Sequence, residues 1–162
     1  MEGKKIMDNS LFIYSSNELS NARNVQQQIS QKEFEIKLVE INANHTSYLE
    51  NSTYFYNQQR KALMEMEVSN LKSQRDGHIN ASLVYALSLA EIEIMSNLPF
   101  SNAAIAISSI YSFLSIYNIQ LILNSTVIVK ISSVSSQLLL HPGDFMPLRM
   151  EIVKLKVHFH MA

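Results

Sequence analysis

Between Glu93 and Lys130 the chain carries no charged side chain. Any fold must bury this stretch, because so long an uncharged run is not stable facing water. Its centre, residues 103–123, reads AAIAISSIYSFLSIYNIQLIL. As one helix it would be about 32 Å long, enough to cross the hydrocarbon layer of a bilayer. The same window holds Ser108, Ser109, Ser112, Ser115, Asn118 and Gln120. Each needs a hydrogen-bond partner that lipid does not supply. Ser108, Ser112 and Ser115 follow at intervals of four and three, so on a helix they form one stripe. Ile107, Ile110, Phe113, Leu114 and Tyr117 cover the broader opposite surface. A weakly polar strip on an otherwise apolar helix suits packing within protein, so the leading expectation is a helix shielded by the chain's own flanks or by sister subunits. The alternative is a membrane-anchored protein with a single span at 103–123.

The chain has 162 residues, which favours a single domain, 1–162, with a core that needs no disulfide staples. Hydrophobic residues make up 47% and charged residues 17%, below the usual charged share of about a quarter. The formal net charge is −1 and the cations do not cluster, so nucleic acid is not an expected partner. Cysteine is absent, which removes disulfides, thiol nucleophiles and Cys-ligated zinc together. The first sixteen residues hold no apolar run of signal length, so a cytoplasmic address is expected, with the membrane as its alternative. The three glycines lie far apart, at Gly3, Gly77 and Gly143, so no phosphate-cradling loop exists and no nucleotide is expected.

Residues 11–14 (LFIY) read as a strand. Ser15 and Glu18 have capping-box spacing, and Leu19, Ala22, Val25 and Ile29 continue at helical intervals. Residues 34–42 (FEIKLVEIN) read as a second strand, with Phe34, Ile36 and Leu38 on one face and Val39 on the other. Strand, helix and strand make a βαβ unit over 11–44.

The segment LFIYSSNELSNARNVQQQISQKEFEIKLVEINAN resembles the opening βαβ unit of the thioredoxin-like superfamily. Its spacing is similar to that of glutaredoxins. The run from the paired glutamines to INAN is similar to the small SH3-domain-binding glutamic-acid-rich proteins. The resemblance puts the redox cysteines at Leu19 and Ala22, where neither is present, so it implies a redox-inactive thioredoxin-like binding module.

Residues 54–118 read as helical. Over 54–75, Met64 (or Leu63), Val68, Leu71 and Arg75 mark an inner face. Asp76-Gly77 reads as a helix end or break. Ile79, Leu83, Ala86, Leu87, Ala90 and Ile94 form the apolar face of a second segment, over 79–97. A third helix, over 102–117, follows a short connection and forms an antiparallel hairpin with the second. Residues 125–161 read as β: STVIVKIS is rich in β-branched residues, Pro142-Gly143-Asp144 is a turn, and 148–161 alternate. There Val153, Leu155, Val157, Phe159 and Met161 face one way, and Lys154, Lys156, His158 and His160 the other. The expected fold class is therefore α+β: an N-terminal βαβ unit, central antiparallel helices and a C-terminal β hairpin.

Few residues suggest chemistry. His158 and His160, two apart on a strand, would project from one face and could share a divalent cation, with His141 as a third ligand if the turn folds back. Glu91 and Glu93 diverge by about 200° on a helix and cannot act as a carboxylate pair. No Gly-x-Ser-x-Gly elbow accompanies the many serines. Met64, Met66 and Met95 suit core filling or an adaptable partner surface. Four Asn-x-Ser/Thr triplets, at Asn44, Asn51, Asn80 and Asn124, accord with chance in an Asn- and Ser-rich chain. With no catalytic residue and no cofactor to name, the expectation is a non-catalytic scaffold or interaction protein. Its partner is another protein or a further copy of itself.

Overall fold

The computed structural model describes residues 2–46, 51–98, 101–141, 143 and 145–158, with side chains described at 10–42, 54–98, 102–141, 143 and 145–158. Among these residues every regular element is an α-helix: α1 (Glu2–Thr46), α2 (Asn51–Met95), α3 (Ser101–Ile116), α4 (Ser125–Leu140) and α5 (Met146–His158). The α+β expectation is overturned. Both strands expected in 11–44 lie inside α1, and the described part of 125–161 is two helices joined by a turn. A thioredoxin-like fold goes with it, since the βαβ unit on which that resemblance rested does not exist.

The chain forms two compact units, one of residues 21–77 and one of residues 1–20 with 78–162. In the first, α1 buries Ala22, Val25, Ile29 and Val39, with Ile36 half-buried. Those positions keep to intervals of three, four and seven, which is the seam of a two-helix coiled coil. Phe34 and Leu38, expected beside Ile36 on a strand, are exposed, whereas Val39, expected opposite, is buried. The seven-residue repeat from Ala22 to Val39 outweighs the local alternation over residues 34–42. From α2 come Met64 and Val68, with Leu71 and Lys61 half-buried. Within this unit Gln26 meets Arg75, Lys32 meets Glu67 and Glu40 meets Lys61, so the partners step in opposite directions and the hairpin is antiparallel. Gly77 neither ends nor breaks α2, which runs through it.

The second unit holds the larger core. Ile79, Leu83, Ala86, Leu87, Ala90 and Ile94 are all buried, as their spacing predicts, and Leu19 joins them from α1. Ser15 and Ser82 are buried and exchange bonds: Ser82 Oγ donates to the Ser15 carbonyl at 2.8 Å, and Ser15 Oγ to the Ser82 carbonyl at 3.1 Å. Two small side chains at this level let the backbones approach closely enough for both bonds. The uncharged stretch supplies Ala103, Ala106, Ile107, Ile110, Phe113 and Leu114 from α3. It is not one helix over 103–123. α3 stops at Ile116, and Asn118 takes a left-handed conformation with φ 50°. Ile119 N–H then bonds the Leu114 carbonyl at 2.9 Å and Asn118 N–H the Ser115 carbonyl at 3.3 Å, which is a Schellman stop. α2 ends in the same way: Asn97 has φ 52°, and Leu98 N–H reaches the Glu93 carbonyl at 2.9 Å. No helix among the described residues is long and apolar enough to cross a membrane.

The β-prone run STVIVKIS opens α4. Asn124 caps it, its side chain accepting from Val127 N–H at 2.9 Å. Val127, Ile131, Val134 and Leu138 are buried at intervals of four, three and four. That helical period extends past the eight residues whose β-branching suggested a strand. Gly143, at φ 108°, takes the turn to α5 through a conformation other residues adopt only under strain. In α5 the buried residues are Leu148, Ile152 and Leu155, while Val153 and Val157 of the expected alternating face are exposed. α5 packs on α3 and α4.

Candidate functional site

The hairpin of residues 21–77 carries exposed apolar side chains around a small core. Its seam is thin: the core cluster is Val25, Ile29 and Val68, with Ile36 and Leu71 packed against it. One layer of the seam is polar. Arg75, 7% exposed, donates from Nη1 to Gln26 Oε1 at 2.8 Å and from Nε to Asp76 Oδ1 at 3.0 Å. Gln26, also buried, donates onward to Ser30 Oγ at 3.3 Å.

Ion pairs border the seam. Lys32 lies 2.9 Å from Glu67 and Lys61 lies 3.0 Å from Glu40, with Lys72 and Glu33 looser at 3.9 Å. The hydrogen bond that Lys32 donates to Glu67, together with the negative charge of Glu67, raises the Lys32 pKa above the ordinary lysine value, and Glu40 does the same for Lys61. These are surface pairs that solvent screens, so each contributes little to stability. Alongside them runs an open groove of about 460 Å³ in which Glu33, Glu40 and Glu65 alternate with Lys37 and Lys72. Charge of both signs so interleaved leaves no net field to concentrate one kind of ion.

The outer faces carry the informative residues. Phe34, Leu38 and Ile41 recur on α1 at intervals of four and three, and all three are exposed. Counting about 100° per residue, they project nearly opposite the seam. On α2, Phe55 and Met66 also point away from the seam, with Tyr56 and Leu63 beside them, and all four are more than half exposed. Each helix therefore carries an apolar stripe on both sides. The sequence pattern marks the inner stripes but places Phe34 and Leu38 on one face of a strand. The signal that finds the outer stripe is the 34, 38, 41 spacing.

The expected metal ligands do not come together on a strand. His158 closes α5, where its Nε2–H donates to the Ile119 carbonyl at 2.8 Å and its ring meets Tyr111 edge-on. His160 lies outside the described residues. His141 follows the last turn of α4, its ring edge-on to Phe145. Among the described residues no three potential ligands gather. Glu91 pairs with Lys130 at 3.4 Å. Glu93 is buried at 2% exposure and accepts from Ala103 N–H at 3.1 Å, capping the start of α3. Met64 fills core, whereas Met66 and Met95 are on the surface. Of the four Asn-x-Ser/Thr asparagines, Asn124 caps α4 and Asn80 donates to the Ile122 carbonyl at 3.3 Å.

No protein-family model, curated protein or solved structure matches the chain.

Proposed function

We propose that the chain is a non-catalytic scaffold that associates with further copies of itself through the outer faces of the 21–77 hairpin. The observation that carries this reading is the exposed stripe of Phe34, Leu38 and Ile41, set opposite a seam that is itself apolar. A hairpin designed for water on its outside would have polar residues there. Two helices around so small a cluster also gain little stability by themselves, and further helices packed on the outer stripes would supply the missing burial. Burying three such side chains stabilises an interface by roughly 1.5–3 kcal/mol each before the costs of association. A cytoplasmic address belongs to the same reading, and cell fractionation tests it.

Light scattering coupled to size-exclusion chromatography of the full chain tests the association. The expected result is a mass that is a multiple of the monomer's, falling to the monomer in the variant carrying Phe34→Ser, Leu38→Ser and Ile41→Ser. A native chain that stays monomeric at every concentration overturns the reading.

A further inference from the structure

In the unit that contains α3, α4 and α5, the outer face of α5 is as patterned as its inner one. Met146, Met150, Val153 and Val157 recur at intervals of four, three and four, and each is at least half exposed. They sit about 160° around the helix from Leu148, Ile152 and Leu155. Beside this stripe, between α4 and α5, lies a groove of about 190 Å³ lined by Leu138, Leu139, Ile152 and Val153, with Arg149 and Lys156 also on its wall. That is space for about six water-sized groups, or one large apolar side chain.

The charges of this unit single out the same groove. Among its described lysines and arginines, Lys130 is paired with Glu91 at 3.4 Å and Lys154 with Glu151 at 3.2 Å. Arg149 and Lys156 have no carboxylate partner among the described residues. They lie seven residues apart on one side of the stripe, about 10.5 Å along the α5 axis. Two cations separated by two helical turns, with apolar surface between them, match the repeat of a helix laid alongside.

We propose that the α4–α5 face docks an acidic amphipathic helix of a partner protein. One apolar side chain of that helix enters the groove, and two carboxylates seven residues apart meet Arg149 and Lys156. Met146 and Met150 give the face the adaptable side chains that helix-binding surfaces use. An anionic bilayer fits less well. A flat surface leaves the groove unfilled, the stripe lacks the aromatic and leucine side chains that anchor interfacial helices, and the cation on its other flank, Lys154, is already neutralised by Glu151.

The test is a dye-labelled synthetic amphipathic helix bearing leucines at three- and four-residue spacing and two glutamates seven apart, titrated with the full chain by fluorescence anisotropy. Binding should weaken by about 10-fold or more in Arg149→Glu/Lys156→Glu and recover when the peptide's two glutamates are exchanged for lysines. Absence of binding to the native chain overturns the proposal, as does equal binding to both proteins. Co-sedimentation with phosphatidylserine vesicles that the double variant abolishes, in the absence of peptide, assigns the face to membranes and also overturns it. A drop in oligomeric mass in that variant gives the face to a second copy, with the same consequence.

Discussion

Arg75 Nη1 lies 2.8 Å from Gln26 Oε1, inside a seam whose neighbouring layers are apolar. Asp76 takes the Nε side of the same guanidinium, and Ser30 accepts from the Gln26 amide. The bond favours the observed alignment of α1 with α2, because a slip of one heptad would set Gln26 against the apolar Val68 in one direction. Gln26→Leu leaves the buried guanidinium with one partner fewer and should cost about 1–3 kcal/mol in urea unfolding. Arg75→Leu should cost a similar amount. The double variant should lose clearly less than the two single losses combined, with a coupling of about 1 kcal/mol in the double-mutant cycle. Strict additivity would mean that the contact does not hold the register.

Asn118 and Asn97 stop α3 and α2 in left-handed geometry that this glycine-poor chain assigns to asparagine. Asparagine tolerates that conformation better than other residues with a Cβ, and glycine tolerates it best. Asn118→Ala should destabilise by about 1 kcal/mol, whereas Asn118→Gly should be neutral or slightly stabilising. For a chain of this size the alanine variant's midpoint should fall by about 2–4 °C, a shift that differential scanning calorimetry resolves. An alanine variant as stable as the native chain would mean the turn relaxes into further helix.

Gly77 sits in the interior of α2, exposed, and a Cβ built there meets nothing within 4 Å. No positive φ calls for glycine here. Gly77→Ala should therefore stabilise the protein by about 0.5–1 kcal/mol through the lower helix propensity of glycine. Chemical unfolding measures this directly, and a loss of stability would show that the backbone at this position departs from the helix.

The helical faces were legible at Leu19, Ala22, Val25 and Ile29 in α1 and at Ile79 to Ile94 in α2, but not in α4, where β-branched residues open the helix. The misplaced strands share one physical cause. Residues 11–14, 34–42, 125–132 and 148–161 are apolar runs or rich in β-branched or alternating apolar residues, and over short windows the periods of 2 and 3.6 overlap. Leu155 would be buried on either reading. Ile152 and Val153 decide between them: the helix buries Ile152 and exposes Val153. The third helix expected over 102–117 matches α3 (Ser101–Ile116), although its stop, Asn118, lacks the glycine that usually marks one. The outer stripes of the hairpin were missed for a different reason. Sequence patterning marks Phe34 and Leu38 as apolar, but only the helix geometry shows that a nearer stripe has already taken the seam.

Glu93 ties the end of α2 to the start of α3. Its carboxylate accepts from Ala103 N–H at 3.1 Å with only 2% of the residue exposed, while its own backbone carbonyl closes the Asn97 stop. One residue thus satisfies orphan groups at both helix termini, an acceptor for the donors of α3 and a partner for the turn that leaves α2. Glu93→Leu removes the acceptor and leaves a buried N–H unpaired, which should cost about 1–3 kcal/mol. Glu93→Gln keeps an oxygen in place and loses only the charge that favours a helix N-terminus, so it should cost less, about 0.5–1 kcal/mol. Urea unfolding of both variants separates the two contributions. Equal losses would mean that the charge, and not the hydrogen bond, holds the junction.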